Sequence, residues 1–392
     1  MNKDWKSCKL PIGTVAVGNE FYLRDNIVEE IWDELQKGNS VLLAAPRRVG
    51  KTSIMRYMEE NPIDNYKIFF QNIQSITSAD KFYERVYMML LNCLSKTKKV
   101  KKWFENFVKS KSIIEIRKDG IVFEDKPTDF LKETNALLVE INGNAEMENI
   151  VLLLDELPEV LFNINEKDAV SILKTLRHWR QQPEMSKKVK FVLAGSIGIH
   201  YVVEKIETRN SDLNDLAKVV FEPLSDNEAH SYIDWATKGA TITYSSKLKK
   251  HLLNKIQYFV PYFINLLIDE IDRQAKKANN PKITTQSIDA AFDTVVKNND
   301  YFNDWKKRLQ NYMPPMDFDF VNEILKHTAH KEYISVQEIY DKAVKYEKTA
   351  DYMEFINELE KDGYIVEFEN KYLFISPFLS AFWKRNNPIY NT

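Results

Sequence analysis

The sequence contains few cysteines and no long apolar run, and each of these shortages excludes a class of protein or site. Only two cysteines, Cys8 and Cys93, occur in 392 residues, which excludes a disulfide framework and a cysteine zinc site. So few cysteines fit a reducing compartment, and we expect a cytoplasmic protein. The apolar runs are far shorter than the roughly 18 residues that a membrane-spanning helix needs, and the N-terminus lacks the apolar core of a signal peptide. We therefore expect a soluble protein with no membrane partner.

An excess of either charge is also lacking, and so are common metal-binding and hydrolytic motifs. The 55 basic and 57 acidic residues leave a net charge of −2, which does not by itself demand a nucleic acid or a membrane as partner. The six histidines include no H-E-x-x-H pair, and no nuclease, protease or deaminase pattern is present. Because domains usually contain roughly 100–200 residues, the length predicts two or three of them.

The first half of the chain contains short apolar runs that alternate with helical patterns. The runs predicted as buried strands are 41–44, 67–71, 150–154 and 190–194. Charged helical stretches are predicted at 79–94, 128–141 and 169–181. This alternation predicts an α/β core, a doubly wound parallel sheet with crossover helices. Residues 113–123, with Asp119-Gly120 at the turn, predict a hairpin inside an insertion at about 96–127.

The second half of the chain is predicted to form two smaller domains. Helical patterns lie at 226–239, 246–259 and 261–279. Pro314 and Pro315 then interrupt the helical pattern, because proline disfavours the α conformation at its own and the preceding position. Three more helical patterns, at 318–327, 335–346 and 351–362, precede two strands separated by Glu369-Asn370. The predicted domains are a core at 1–222, a helical lid at 223–312 and a winged helix at 313–392.

The most specific motif lies between the first predicted strand and the helix after it. Residues 45–52 fit the pattern G-x-x-x-x-G-K-[ST] except at Ala45. Such a loop directs backbone N–H groups and the positive end of a helix at phosphate oxygens. Gly50 permits close approach of the backbone, Lys51 reaches the β- and γ-phosphates, and the Thr52 hydroxyl coordinates Mg²⁺. The loop therefore predicts a site for a nucleoside triphosphate with Mg²⁺, and ATP is the expected nucleotide.

The other side chains of this loop are less specific. Pro46, Val49 and Ser53 are included among the residues predicted to bind the nucleotide. Arg47 and Arg48 are included as candidates for phosphate contact. For these two arginines, a solvated loop face or a contact with another domain is an equal alternative.

A second motif supports an ATPase. The apolar strand at 150–154 ends in Asp155 and Glu156, as in the second motif of P-loop ATPases, where the aspartate holds Mg²⁺ through water. Glu156 is predicted to polarise the attacking water, and Lys51 to act with it as the second catalytic residue. An acidic helix N-terminus is the alternative interpretation, and the upstream P-loop favours the ATPase. Ser196, after the strand at 190–194, is predicted to sense the γ-phosphate, although Gly-Ser is also ordinary turn chemistry.

Taken together, these segments resemble the archaeal-type ATPases of the STAND clade, within the AAA+ superfamily of P-loop NTPases. The matching segments are 21–25, 45–53, 153–158 and 193–198, and the resemblance continues at 210–215, 221–224, 363–365 and 374–379. The resemblance covers most of the chain, more loosely between 60 and 145. It implies an AAA+-like P-loop core followed by a helical lid and a winged helix, and a slow, Mg²⁺-dependent ATP hydrolysis.

The resemblance also implies where the adenine and an arginine finger would lie. Phe21 and Arg24 would lie beside the base, and Pro261 would match the proline of the G-x-P motif, with Val260 in place of its glycine. A proline at the first position of a helix is the alternative for Pro261. Arg177 and Arg180 are candidates to act on a neighbouring subunit's γ-phosphate, against the alternative of a solvated helix face. These assignments come from the resemblance and not from the spacing alone.

Two hypotheses describe what the protein uses ATP for. One is a molecular switch that couples nucleotide state to domain movement or assembly, and the other is a DNA-binding ATPase resembling replication initiators. The third helix of the predicted winged helix is acidic, which disfavours DNA because phosphate contacts need Lys and Arg. Its charged residues are Asp351, Glu354, Glu358, Glu360 and Asp362, against Lys361. We therefore expect a protein partner or self-association, with nucleic acid as the alternative.

The most basic stretch of the chain lies elsewhere, at 96–111. It combines seven lysines with Trp103, Phe104 and Phe107. Basic residues among aromatic ones are typical of single-stranded nucleic-acid binding. An amphipathic helix that turns its aromatic side chains inward is the favoured alternative.

Overall fold

The computed structural model describes residues 4–8, 10–46, 48–95, 103–105, 113–116, 121–123, 128–195, 203, 206 and 210–390. The chain divides into two units. The sheet unit comprises Leu23–Ala44 and Lys51–Phe221. The helical unit comprises Met1–Tyr22, Ala45–Gly50 and Glu222–Thr392. The predicted division into three domains, at 222 and 312, stays a prediction.

The sheet unit contains the parallel sheet that the sequence predicts. Its strands are β1 (Val41–Ala44), β2 (Tyr66–Asn72), β3 (Ile113–Ile116), β4 (Ile121–Phe123), β5 (Asn149–Asp155), β6 (Val189–Gly195) and β7 (Ala217–Lys218). Five of them form one sheet in the order β2-β5-β6-β1-β7, and every neighbouring pair is parallel. The carboxyl ends of β1, β5 and β6 therefore lie at the same edge of the sheet.

The strands form where the apolar runs are continuous. Residues 151–154 of β5 and 191–194 of β6 are fully buried, as expected for strands covered on both faces of a parallel sheet. The four predicted strands are confirmed with small changes at their ends. The two-residue strand β7 was not predicted, because Ala217 and Lys218 carry no apolar pattern and are placed by pairing with the distant β1.

Helices connect these strands. They are α1 (Asp25–Gln36), α2 (Lys51–Glu60), α3 (Ala79–Ser95), α4 (Phe130–Gly143), α5 (Leu157–Asn163), α6 (Glu166–Gln181) and α7 (Pro183–Ser186). Two of these helices, α4 and α6, begin at a different residue from the predicted one, because a side chain caps each N-terminus. The Asp129 carboxylate accepts a hydrogen bond from the Lys132 N–H at 3.0 Å, so α4 begins at Phe130. Asn165 caps α6 in the same way, at 2.9 Å from the Asp168 N–H.

The helical unit begins with a bundle of helices. These are α8 (Asp226–Ala236), α9 (Ser246–Ile256), α10 (Pro261–Ala278), α11 (Thr285–Lys297) and α12 (Asn303–Tyr312). The first three match the predicted helices, and α9 ends early because Gln257 adopts a φ of 58°. The helices α11 and α12 were not predicted. The capping box of Thr284 and Ser287 at the start of α11 is a signal that was missed.

The chain continues as α13 (Pro315–Lys331), β8 (Ile334–Ser335), α14 (Val336–Lys345), α15 (Tyr352–Lys361), β9 (Ile365–Phe368), β10 (Lys371–Phe374) and α16 (Pro377–Asn386). The three helices and the hairpin predicted for residues 313–392 are thus present. Glu369 and Asn370 form the predicted turn, with φ values of 50° and 61°. Strand β8 extends the hairpin to a sheet in the order β8-β10-β9.

Part of the sequence prediction falls on residues that the structure does not describe. The predicted hairpin is present as the antiparallel pair β3 and β4. Its turn at Asp119-Gly120, and most of the insertion at about 96–127, lie outside the described residues. Among the residues that are described, no helix is both long enough and apolar enough to cross a membrane.

Candidate functional site

Among its described residues, the loop between β1 and α2 contains two with positive φ. Gly50 has a φ of 106° and Arg48 a φ of 64°. Left-handed residues within a loop help to direct successive N–H groups towards an anion. Glycine adopts this conformation freely, whereas for an L residue with a side chain it costs about 1–2 kcal/mol. The loop thus has a glycine at one of the two positions and an arginine at the other.

A polar contact joins the start of α2 to the end of β5 within the sheet unit. The Thr52 hydroxyl donates a hydrogen bond to Asp155 Oδ2 at 2.6 Å. Asp155 is only 1% exposed, although it ends the strand, and Lys51 is only 8% exposed. The two sequence motifs, which are about 100 residues apart along the chain, are therefore in direct contact.

Burial dominates the electrostatics of Asp155. Loss of hydration raises the pKa of this carboxyl group, while the Thr52 hydrogen bond and the positive charge of Lys51 act in the opposite direction. The Glu156 N–H, which donates to Asp155 Oδ1 at 3.0 Å, and the charge of Arg56 also lower the pKa. The net direction is upward, so the ionised carboxylate is incompletely compensated by its protein neighbours.

The chain leaves β5 through a sharp turn. Glu156 has a φ of 65°, is half-buried, and immediately precedes the first residue of α5. Pro158 packs against Gly195, the last residue of β6. A Cβ atom at position 195 would lie 2.3 Å from Pro158 Cδ, which no real contact allows. The ends of β5 and β6 therefore approach each other at a position that only glycine can occupy.

The oxygens of Thr52 and Asp155 suit a magnesium ion. Within the described part of the chain, no cluster of three or more His, Cys, Asp or Glu side chains could hold a metal. A site for Mg²⁺ would use the hydroxyl oxygen of Thr52 and the carboxylate of Asp155, together with phosphate oxygens and water. Mg²⁺ is commonly bound in this way, through one or two carboxylates and its substrate's phosphates.

Arg48 contacts two residues of the helical unit. Its Cζ lies 4.1 Å from the ring centroid of Tyr262 on α10, and its Nη2 lies 3.2 Å from Asp304 Oδ2 on α12. Burial raises the pKa of Tyr262 to about 12, so its ring remains neutral. Nothing in the sequence indicates these partners. A phosphate contact by Arg48, which was also predicted, stays a prediction.

Pro46 and Val49, two other residues of the loop, also belong to the helical unit. Pro46 lies against Gly363, which is in the turn between α15 and β9 and has a φ of 75°. A Cβ atom at position 363 would meet Pro46 Cβ at 3.2 Å, tighter than nearly all real contacts. Val49 is buried. Arg47 and Ser196, both predicted to contact the nucleotide, lie outside the described residues.

The residues predicted to lie beside the adenine belong to both units. Arg24, in the sheet unit, is buried with its Cζ 5.4 Å from the Phe221 ring centroid. Phe21, in the helical unit, is half-buried and follows the 3₁₀ helix Gly18–Glu20. Pro261 is the first residue of α10, the position that the alternative interpretation gives it. Contact with the base stays a prediction for all three.

The two candidate finger arginines form ion pairs inside the sheet unit. Arg180 binds Asp215 through Nε and Nη2, both at 2.8 Å, and donates to the Asp212 carbonyl at 2.6 Å. The Arg177 guanidinium lies 3.0 Å from Asp212 Oδ1. The Arg180 side chain is 2% exposed, so it does not belong to a solvated helix face. The acidic partners lie in the segment 210–215, where only their charge could have suggested them.

Comparison with known proteins gives a family and two similar folds. A family model described as an AAA-like domain matches residues 10–291. The structure is similar to the Walker-type ATPase PABY2304 of Pyrococcus abyssi, with a TM-score of 0.62 and 16% identity over 94% of this chain and 97% of that one. It is also similar to the ORC2 protein of Aeropyrum pernix, solved in ADPNP and ADP complexes, with a TM-score of 0.53 and 11% identity over 91% and 89% of the two chains. Among curated proteins, none matches the sequence.

Proposed function

The chain belongs to the AAA-like domain family, and we propose that it binds ATP with Mg²⁺ and hydrolyses the ATP. The observation that carries this proposal is the hydrogen bond between Thr52 and Asp155, which joins the P-loop helix to the acidic strand end. A buried carboxylate with incomplete compensation, next to a hydroxyl and a buried lysine, is suited to a divalent cation and a polyphosphate.

Each of these residues has a role in the proposal. The backbone around Gly50 receives the phosphates, and Lys51 contacts the β- and γ-phosphates as a positive charge. Thr52 and Asp155 hold Mg²⁺, which when bound neutralises charge on the phosphates. Glu156 orients and polarises the attacking water. Phosphoryl transfer requires little covalent chemistry from the protein. Positioning of the reactants and electrostatic stabilisation therefore account for most of the catalysis.

The remaining predicted contacts are part of the same proposal. Phe21, Arg24 and Pro261 are proposed to border the adenine. Ser196 is proposed to sense the γ-phosphate, and Arg47 to contact phosphate. We further expect the protein to be cytoplasmic, as its two cysteines predict.

Two substitutions test the nucleotide site in the purified full chain. Lys51→Ala is expected to weaken ATP binding by about tenfold or more, because it removes a charge-assisted contact. Glu156→Gln is expected to keep ATP binding and to slow turnover by about 100-fold or more, the usual contribution of a general base. Binding is measured by calorimetry and turnover by phosphate release.

Exposed residues of the same unit provide the controls. Lys174→Ala and Glu184→Gln change side chains on the surface of α6 and α7 and are expected to leave both quantities unaltered. Unchanged turnover in both Lys51→Ala and Glu156→Gln would contradict the proposal. Tight binding by the wild type without turnover would leave a nucleotide-locked structural protein as the better interpretation.

We propose that ATP drives a STAND-type switch. The P-loop residues Ala45–Gly50 pack within the helical unit, where Arg48 contacts α10 and α12 and Pro46 contacts Gly363. A change of loop shape on nucleotide exchange would therefore alter the contacts of these helices. Residues 313–392, which contain the helices α13–α16 and the three-stranded sheet β8-β10-β9, are proposed to form a winged helix that moves in this switch.

The charge of the proposed winged helix favours a protein partner or self-association. Fourteen acidic and nine basic residues lie between 313 and 392, so the segment is acidic as a whole. Duplex DNA requires basic residues near its phosphates. The alternative of a DNA-binding ATPase resembling replication initiators is therefore not the function that we propose.

A further inference from the structure

Arg48 occupies a backbone conformation that its residue type disfavours. Its φ is 64°, in the left-handed region that glycine adopts without cost. Among the described residues of the loop, Gly50 also has a positive φ, and glycine needs no support there. Something must therefore hold the backbone of Arg48 in place, since a residue in this conformation persists only when its surroundings fix it.

The side chain of Arg48 provides such an anchor. Its guanidinium lies over the ring of Tyr262 at 4.1 Å and pairs with Asp304 at 3.2 Å. The Arg48 side chain is 23% exposed, so both interactions are partly shielded from water, whereas the Asp304 side chain is 54% exposed. A planar guanidinium can stack on an aromatic ring and pair with a carboxylate at the same time. These two contacts fix the end of the side chain and, through it, the loop backbone.

We propose that Arg48 is a positioning residue that holds the P-loop in its phosphate-binding shape through Tyr262 and Asp304. This inference rests on the proposed function, because it assigns a purpose to the loop shape. It differs from the phosphate contact considered for Arg48 in the sequence. A guanidinium held by Tyr262 and Asp304 would have to leave both residues before it could contact a nucleotide.

The arrangement has a consequence for the helices. If Tyr262 and Asp304 stabilise the loop shape that binds nucleotide, then nucleotide binding must stabilise the placement of α10 and α12 to the same extent. Arg48 thus couples the shape of the loop to α10 and α12 within the helical unit. Pro46, packed against Gly363, provides a second contact on the same loop.

A double-mutant cycle in the full chain tests this role. The proteins are the wild type, Asp304→Asn, Arg48→Gly and the double variant, and the measured quantity is the dissociation constant for Mg·ATP. In the chain with Arg48, Asp304→Asn is expected to weaken binding by up to roughly fivefold, because the ion pair is partly exposed and Tyr262 still contacts the guanidinium. In the Arg48→Gly chain the same change at 304 is expected to have no effect, because glycine does not need the anchor.

Two further variants separate positioning from direct phosphate contact. Arg48→Ala keeps the strain and loses the anchor, so it is expected to bind Mg·ATP more weakly than Arg48→Gly. Asp293→Asn, an exposed acid on α11, serves as the control and is expected to change nothing. Equal losses for Arg48→Ala and Arg48→Gly, or an equal effect of Asp304→Asn in both backgrounds, would overturn the proposal.

Thermal unfolding without nucleotide distinguishes failure of this inference from failure of the proposed function. Even if the chain does not bind ATP, Asp304→Asn is expected to lower the unfolding temperature when Arg48 is present and not in the Arg48→Gly background. Absence of this coupling overturns the anchor itself. Coupling without any ATP binding keeps the anchor and overturns the nucleotide site that it was assigned to serve.

Discussion

At the scale of single residues, the carboxyl group of Asp155 carries a cost that a bound cation would remove. Its pKa is raised by burial despite the hydrogen bond from Thr52 and the charge of Lys51. A folded state that raises the pKa of an acid binds its proton more tightly than the unfolded chain does. Protonation of Asp155 therefore contributes stability that is present below the pKa of this group in the unfolded chain. That stability is lost as the pH rises through its pKa in the folded protein.

This linkage predicts the behaviour of Asp155→Asn. Without metal and nucleotide, the variant is expected to be more stable than the wild type at neutral pH, because it has no buried charge to accommodate. The difference is expected to shrink as the pH falls and the Asp155 carboxyl group becomes protonated. Urea unfolding across a pH series measures both effects, with the exposed Asp33→Asn on α1 as the control. A stability difference that instead favours the wild type at neutral pH, or that grows as the pH falls, would contradict this prediction.

The same scale shows which site residues a sequence can predict. Thr52 and Asp155 were predicted because each lies in a local motif, and their contact confirms that the two motifs meet. Asp304 was not, because it is 256 residues from Arg48 and belongs to no pattern. The sequence also does not indicate that position 48 has a positive φ, because arginine, unlike glycine, rarely adopts this conformation. Motifs predict groups that perform chemistry, whereas their supports are fixed by tertiary contacts.

At the scale of elements, helix α6 is tied to the segment after β6 by buried charge. Arg180 is 2% exposed and makes three hydrogen bonds to that segment, whereas Arg177 on the same helix is 34% exposed. Removal of Arg180 leaves Asp215, which is 23% exposed, and removal of Arg177 leaves Asp212, which is 7% exposed, so each change leaves a carboxylate without its ion-pair partner. Arg180 is thus expected to matter for stability.

Replacement of each arginine tests this expectation. Arg180→Ala is expected to lower the free energy of unfolding by about 3 kcal/mol, and Arg177→Ala by about 2 kcal/mol, because it leaves the 7% exposed Asp212 without its ion-pair partner. Chemical denaturation gives both values. If Arg180 instead acted as a finger on a neighbouring subunit, Arg180→Ala would abolish turnover at unchanged stability.

Elements with a continuous apolar pattern were predicted, and those fixed by pairing or by caps were not. Strands β5 and β6 are buried along almost their whole length, so their sequences alone identify them. Strands β7 and β8 have two residues each and exist because β1 and β10 lie beside them. Helices α11 and α12 were not predicted; a capping box begins α11, whereas Phe302 at the start of α12 makes no side-chain cap.

At the scale of the whole molecule, the distribution of charge predicts weak binding to duplex DNA. The acidic balance of residues 313–392 leaves few cations for phosphate contacts. We expect a dissociation constant no tighter than the roughly 10⁻⁴–10⁻⁶ M of non-specific binding at physiological salt. Fluorescence anisotropy of a labelled duplex at several salt concentrations measures it.

Charge reversals identify the source of any binding that is found. Replacement of Lys361 and Lys371 by glutamate removes cations from the proposed winged helix, and replacement of Lys98, Lys99 and Lys101 does so in the basic stretch. Tight, salt-sensitive binding that the first variant loses would favour the initiator-like alternative. Binding to single strands that only the second variant loses would assign the nucleic-acid contact to residues 96–111.

The contact between Pro158 and Gly195 limits how this fold can be altered. Because any side chain at position 195 would occupy the same space as the proline ring, the two positions cannot be varied independently. Transfer of the end of β5 with its Leu157-Pro158 turn into another sheet therefore also requires a glycine on the adjacent strand.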